Sequence, residues 1–240
     1  MLRAVASRAA DYPPAWRLPE AEASRRRSGL PTLMLKGFTR TFPTGATIYA
    51  QEDAAEFVYQ VASGMVRTAT LRPDGRRIVH GFHLGGEIFG LERGRQHLCA
   101  AEAVCETRLV QCPRSCIENV AGDDTEMAQE LRSWLLLSRD QITERSAYLM
   151  YGSASEKLAY FLLDLAWRTQ AQGPFDLEMS RYDIGDYLGL SSETVSRTFS
   201  VFRNRGLIST RGRQVTLLHD RIRGPGAGAA RPPGRPRASP

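Results

Sequence analysis

Between Met179 and Gly206 the chain reads MSRYDIGDYLGLSSETVSRTFSVFRNRG, and no other stretch leaves the backbone so few choices. Ser180 followed three residues later by Asp183 is an S-x-x-D capping box, which opens a helix by satisfying amides that have no partner inside it. Gly189 ends that helix, because a residue that tolerates positive φ lets the chain turn sharply. Ser191 then caps a second helix. Counted from Arg181, the fifth position is small (Gly185), the ninth is glycine (Gly189) and the fifteenth is β-branched (Val195). This spacing predicts a helix-turn-helix: Gly185 lets two helices approach, Gly189 makes the turn and Val195 fills the space between them.

The second helix of the pair has two faces. Val195, Phe199 and Phe202 stand at i, i+4 and i+7 and point inward; Glu193, Ser196 and Arg197 lie on roughly the opposite side, near the N-terminal end. That end of a helix-turn-helix meets base edges in the major groove. Arginine gives two hydrogen bonds to guanine, glutamate accepts from the cytosine amine, and serine pairs with a base or a phosphate. E-x-x-x-R is also an ordinary surface ion pair, worth only ~0.3–0.5 kcal/mol. Behind a capped helix, a glycine turn and an inward apolar face, base contact with double-stranded DNA is the favoured reading. Ser191, Ser192 and Thr194 are assigned to the DNA backbone. So are Arg211 and Arg213, which a hairpin across Ile208–Leu218, turning at Arg211-Gly212, presents as the wing of a winged helix. Arg203 and Arg205 do the same or are merely solvated.

Charge supports a separate binding module. The 240 residues hold 32 basic and 26 acidic groups. Residues 1–30 have six basic and three acidic, 31–179 fifteen and nineteen, 180–219 six and three, and 220–240 five and one. The middle is acidic and the basic excess sits at both ends; a uniform coating on RNA would not need that split. Only Lys36 and Lys157 are lysine. Arginine suits phosphates and guanine edges, although an arginine-rich genome produces the same bias. No apolar run approaches the ~18–20 residues needed to cross a bilayer. Arg3, Arg8 and the Arg25–Arg27 run are followed by Ser28-Gly29-Leu30-Pro31-Thr32, not by the apolar stretch of a secretory signal. The expectation is a cytoplasmic protein with no membrane partner, whose cysteines are reduced thiols or ligands.

With 42% apolar and 24% charged residues, a wholly disordered or collagen-like chain is excluded. Residues 1–30 lack periodicity, contain Pro13, Pro14 and Pro19, and are expected to form a mobile extension. From Leu33 to Pro113, short β-branched and aromatic segments punctuated by glycine and proline predict an all-β roll, with its domain at residues 31–122. Around Thr125–Tyr151 the period changes: Met127, Leu131, Leu135, Ile142 and Leu149 fall at four- and seven-residue steps, with Trp134, Leu136 and Leu137 widening the stripe. A helix of about 27 residues would be roughly 40 Å long. It is either a core helix of its own chain or a dimer seam. The seam is favoured because the roll is too small to cover it. Residues 123–152 are therefore assigned to dimerisation, through Met127, Leu131, Trp134, Leu135, Ile142 and Leu149. The next helix starts at Ser155, puts Leu158, Phe161, Leu162 and Leu165 on one face and stops at Gly173-Pro174. A winged helix-turn-helix domain spans 153–222. A Gly/Pro/Ala/Arg tail at 223–240 is expected to be disordered and basic. The fold class is α+β.

Nothing points to catalysis: His80, His83, His97 and His219 form no H-E-x-x-H pattern, and there is no G-x-S-x-G or phosphate loop. Cys99, Cys105, Cys112 and Cys116 match no common zinc or cluster spacing, so neither metal nor cofactor is expected. Cys105 falls in a predicted strand as a small apolar residue. A redox role for Cys112 and Cys116 stays open, since C-x-x-x-C spacing brings thiols together on a helical turn.

Roll, long helix and winged helix occur here in the order, and with the motifs, of one family. F-x-x-G-x-x-I-Y at Phe42–Tyr49, Y-x-V-x-S-G-x-V-R at Tyr59–Arg67 and G-E-I-F-G at Gly86–Gly90 resemble the cyclic-nucleotide-binding-like fold of the Crp/Fnr regulators. DIGDYLGLSSETVSRTFS is similar to the recognition unit of the FNR and FixK branch, and G-L-E-x-G at Gly90–Gly94 looks FixK-like. The resemblance covers about residues 31–222. It implies a homodimeric transcription regulator, most often an activator working with RNA polymerase. It further implies that Glu193, Ser196 and Arg197 read a palindrome like TTGAT-four-bases-ATCAA, in genes of low-oxygen respiration, nitrogen fixation or denitrification. The cyclic-AMP receptor's phosphate-gripping Arg-Ser pair is replaced here by His97 and Leu98, so no cyclic nucleotide is expected. Residues 1–98 lack the N-terminal cysteine group that holds FNR's iron–sulfur cluster. The alternative implied by the same resemblance is a regulator whose roll binds a ligand or metal, or senses thiol redox state directly.

Overall fold

The computed structural model of the chain describes residues 37–92, 94–115, 152–171 and 173–218, together with 128, 129, 132, 135, 136, 142, 146, 149 and 150. Eight strands come first: β1 (Phe38–Phe42), β2 (Thr47–Tyr49), β3 (Phe57–Ser63), β4 (Val66–Leu71), β5 (Arg77–His83), β6 (Ile88–Phe89), β7 (Ala100–Ala103) and β8 (Thr107–Pro113). They form two antiparallel four-stranded sheets in the orders β1-β8-β3-β6 and β2-β7-β4-β5, the roll expected from the sequence. Period-2 alternation sorts the side chains: on β8, Thr107, Leu109 and Gln111 are buried while Arg108 is exposed. Phe42, Tyr49, Tyr59, Val61, Val66, Phe89 and Leu109 close the space between the sheets. Burying each large apolar side chain there contributes about 1.5–3 kcal/mol.

Helix α1 (Ala154–Arg168) starts under a Ser153/Glu156 capping box and buries Leu158, Phe161, Leu162 and Leu165, the stripe read from the sequence. It ends earlier than Gly173-Pro174. Thr169 turns its hydroxyl back to the Leu165 carbonyl at 2.8 Å, and Gln170, at φ +55°, carries the chain away. With Gln170 left-handed, its amide returns to the Trp167 carbonyl at 3.0 Å and the Ala171 amide to the Ala166 carbonyl at 2.9 Å, a backbone closure that stops the helix before the proline can. Beyond it lie β9 (Phe175–Asp176), α2 (Arg181–Leu188), α3 (Ser192–Asn204), β10 (Ile208–Arg211) and β11 (Gln214–Leu217). The expected wing hairpin gains a third strand, in the order β10-β11-β9. Two residues are too short to show alternation, which hid β9 from the sequence reading.

The binding domain, separate in sequence, packs directly on the roll. Met65, Ala69, Val79, Phe82 and Leu84 of the roll share one core with the apolar faces of α1, α2 and α3. The Phe82 ring lies 5.2 Å from that of Tyr187 on α2 and 6.1 Å from that of Phe161 on α1. An apolar patch left on the outside of β4 and β5 accounts for the docking.

The described residues between 128 and 150 are all helical. Leu135, Leu136, Ile142 and Met150 are exposed, whereas Leu149 is half-buried against the shared core. Met127, Leu131, Trp134, Cys116, the extension at 1–30 and the tail at 223–240 lie outside the described residues. Two cysteine expectations change. Cys105 sits in the bend between β7 and β8, not in a strand, because the chain reverses there. Cys112 is buried on the extended backbone of β8 and not on a helical turn. Among the described residues, no helix is long and apolar enough to cross a membrane.

Candidate nucleic-acid interface

The turn between α2 and α3 is built as its residues require. At the start of α2, Ser180 Oγ accepts the Asp183 amide at 3.1 Å, while Asp183 Oδ2 accepts the Ser180 amide at 3.0 Å. Gly189 closes the helix in the left-handed region, at φ +64° and ψ +41°. Gly185 meets the turn so closely that an added Cβ would stand 2.6 Å from the Leu190 carbonyl oxygen; only a hydrogen fits. Ser191 then caps α3, its Oγ accepting the Thr194 amide at 3.1 Å. Ser191 is therefore first of all a structural cap, and its hydroxyl also lies 2.9 Å from that of Thr194.

Helix α3 separates its faces as the periodicity predicts. Val195, Phe199 and Phe202 are buried against α1 and α2; Glu193, Ser196 and Arg197 are exposed together on the outer side. Arg197 turns its guanidinium to Thr194 Oγ1 at 3.3 Å rather than to Glu193, so the alternative of a simple surface ion pair is not formed. Ser196 donates to the Ser192 carbonyl at 2.8 Å. The face thus presents an acceptor, a hydroxyl and a five-donor fork within two turns, at the end where helix N-termini also favour anions.

Two further cations lie on or against α3. Arg181, at the first position of α2, lies 3.4 Å above the Phe199 ring. Burial, and then the nearby positive charge of Arg203, lower its pKa. Sequence reasoning missed this pairing because the ring between the helices is what holds Arg181 in place.

In the wing, Arg211 pairs in register with Gln214 and is exposed, followed by Gly212 at φ +62°. Arg213 behaves differently. Its Nη2 lies 2.5 Å from Glu178 Oε2 and 2.6 Å from the Glu178 carbonyl, which fastens the wing to the segment before α2.

In the roll, His97 is buried, donating or accepting at Nδ1 with Glu92 Oε1 at 3.0 Å and stacked on Tyr49 at 3.5 Å between ring centroids. Glu92 Oε2 and His97 Nε2 are buried without a hydrogen-bond partner among the described residues. Leu98 is exposed. This cluster lacks the arginine grip on a cyclic phosphate: a carboxylate stands beside the imidazole and takes its Nδ1, and Leu98 donates nothing. Burial first and Glu92 second push the half-buried Cys99 thiol up to about 11. Among the described residues no three His, Cys, Asp or Glu side chains gather closely enough to hold a metal ion.

Comparison with known proteins falls along the same two halves. The Crp-like helix-turn-helix domain matches residues 156–221, and the cyclic nucleotide-binding domain matches residues 39–124. The chain is 39% identical to the nitrogen fixation regulation protein FixK of Azorhizobium caulinodans, over 77% of each chain. It is 40% identical to FixK of Rhizobium meliloti, over 71% of this chain and 78% of that one. Among solved structures it is similar to FixK2 from Bradyrhizobium japonicum, with 38% identity and a TM-score of 0.73, covering 78% of this chain and 95% of the other.

Proposed function

Because the chain belongs to the Crp/Fnr family of transcription regulators, in its FixK-like branch, and is a DNA-binding regulator rather than an enzyme, we propose how it reads its DNA. It acts as a homodimer on a palindrome of the form TTGAT-four-bases-ATCAA. Two copies of α3 enter successive major grooves about one helical turn, ~34 Å, apart. Glu193, Ser196 and Arg197 read base edges, while Ser192, Thr194 and Arg211 contact phosphates. The single observation that carries this is the division of α3, with those three side chains exposed together behind a buried Val195–Phe199–Phe202 face.

Pairing of two copies runs through the 123–152 helix. In support, Leu135 and Ile142, a heptad apart, are both exposed apolar side chains. The regulator is an activator that engages RNA polymerase in the cytoplasm, where the DNA is. It controls genes of low-oxygen respiration, nitrogen fixation or denitrification; nitrogen fixation is the role carried in the names of its FixK relatives. No cyclic nucleotide is needed, given the Glu92 carboxylate on His97 and the exposed Leu98 beside it.

A gel shift on this palindrome against a half-site-scrambled duplex, with and without reductant, tests the reading. A slower-migrating dimer complex on the palindrome alone is expected in both conditions. Equal binding to both duplexes would overturn it.

A further inference from the structure

Asp183 uses its two carboxylate oxygens for different purposes. Oδ2 closes the cap of α2 with Ser180. Oδ1 faces the roll, 2.7 Å from Arg67 Nη1 on β4 and 2.6 Å from Arg77 Nη2 on β5. Each arginine is held from a second side. Arg67 Nε lies 2.9 Å from Glu102 Oε2 on β7, and Arg77 Nε lies 2.8 Å from Asp186 Oδ2, one turn further along α2. A continuous chain, Glu102–Arg67–Asp183–Arg77–Asp186, therefore ties three strands of one sheet to the first helix of the helix-turn-helix.

The surroundings make this chain directional. The Asp183 side chain is only 6% exposed, against 19% for Arg67 and 29% for Arg77. Guanidinium forks constrain angle as well as distance, which the neighbouring Phe82–Tyr187 contact does not. Ion pairs withdrawn from water add little net stability but exclude other arrangements. Burial by itself would raise the Asp183 pKa; the Ser180 bonds and the two guanidiniums outweigh it and hold the group below its ordinary value. The carboxylate thus stays charged throughout the neutral range. The docked arrangement also leaves Glu193, Ser196 and Arg197 exposed, so the grip on α2 does not cover the reading face of α3.

We propose that the Arg67–Asp183–Arg77 clamp fixes the angle of the helix-turn-helix on the roll, and through it the half-site spacing that a pair of chains accepts. This rests on the dimeric DNA-binding reading above. In a two-fold dimer the separation of the two α3 helices follows from how each is set on its own roll. One extra base pair between half-sites moves the second by ~3.4 Å and rotates it by roughly 34–36°. A rigid clamp rejects that shift; a released helix-turn-helix follows it.

The test compares the full-length protein with an Arg67→Gln/Arg77→Gln variant, which leaves Asp183 and its cap intact. Fluorescence anisotropy is read on three duplexes: the palindrome with a four-base spacer, the same half-sites with a five-base spacer, and a single half-site. Wild type is expected to prefer four bases to five by about tenfold or more. The variant should weaken on the four-base palindrome, lose most of that preference and bind the single half-site as wild type does. Unchanged spacing preference overturns the proposal. So does tighter binding to the palindrome, which would make the clamp an inhibitory lock. If the variant also loses half-site binding through misfolding, Arg77→Gln alone carries the test, and full discrimination by that protein overturns the proposal. Wild type that does not distinguish the palindrome from scrambled DNA overturns the DNA-reading assignment itself, and the clamp's role with it.

Discussion

Arg168, in the last turn of α1, forms a two-pronged ion pair with Glu87 between β5 and β6, Nε 2.9 Å from Oε1 and Nη2 2.7 Å from Oε2. The same guanidinium donates to the Phe82 carbonyl and, through Nη1, to Asp164 at 3.1 Å. One side chain thus ties the first helix of the binding domain to the roll. Arg168→Met would leave Glu87 without its counter-ion and is expected to cost about 2–3 kcal/mol at neutral pH, below the fully buried range because Glu87 remains 30% exposed.

The pH dependence of that loss follows from the carboxylate. Burial tends to raise the Glu87 pKa, but Arg168 outweighs it and holds the group below its ordinary value. The contribution is therefore fully present above the unfolded glutamate value, ~4.3, and disappears as pH falls through the lower folded value. Urea unfolding should show wild type and Arg168→Met well separated at pH 7 and converging in acid. A gap that persists undiminished into strong acid would contradict the pairing.

The two glycines of the turn should fail for different reasons. At Gly185 an added methyl meets backbone 2.6 Å away, so Gly185→Ala must displace the turn; a loss of about 1–3 kcal/mol is expected, together with weaker DNA binding. At Gly189 nothing lies within 4 Å of the added atom, and the cost is that of a left-handed backbone alone, ~1 kcal/mol for alanine and less for asparagine. Thermal unfolding of Gly185→Ala, Gly189→Ala and Gly189→Asn checks the order. Equal behaviour of Gly189→Ala and Gly189→Asn would remove the conformational explanation.

Most of α3 was legible in the sequence because its determinants are local. Caps, turn glycines and the i, i+4, i+7 face all act over a few residues. The clamp was not. Asp183 is 116 residues from Arg67 and was already explained as a helix cap, so nothing in the local pattern asked for a second partner. The end of α1 was misplaced for a related reason. Gly173-Pro174 is a strong stop signal, but the left-handed Gln170 closes the helix first, with the Gln170 and Ala171 amides returning to the Trp167 and Ala166 carbonyls. Cys105 falls in a bend and not in the expected strand because composition does not reveal where a β-chain reverses.

Base reading and phosphate contact predict different signatures. Arg197→Ala should cost about 1–3 kcal/mol on the palindrome and relax preference at one base pair. Arg211→Ala should weaken binding to all sequences alike and lower the slope of log affinity against log salt by about 1. Arg213, held by Glu178, should change the salt slope less than Arg211 does. Binding measured on matched and scrambled duplexes across a salt series separates the three. Equal losses for Arg197→Ala on both duplexes would remove it from base reading.

The last prediction concerns whether Cys99 can act as a reactive thiol. The thiolate is the nucleophile, and here burial, reinforced by the negative charge of Glu92, pushes the thiol up to about 11. Against an ordinary cysteine near 8.5, the thiolate fraction at pH 8 falls by about 100-fold or more. Iodoacetamide labelling at pH 8, followed at each cysteine by mass spectrometry, should find Cys99 slow despite its partial exposure. Glu92→Gln should speed it, since one of the two causes is removed while burial remains. Labelling of wild-type Cys99 at the rate of an unperturbed thiol would contradict the suppression by burial and Glu92.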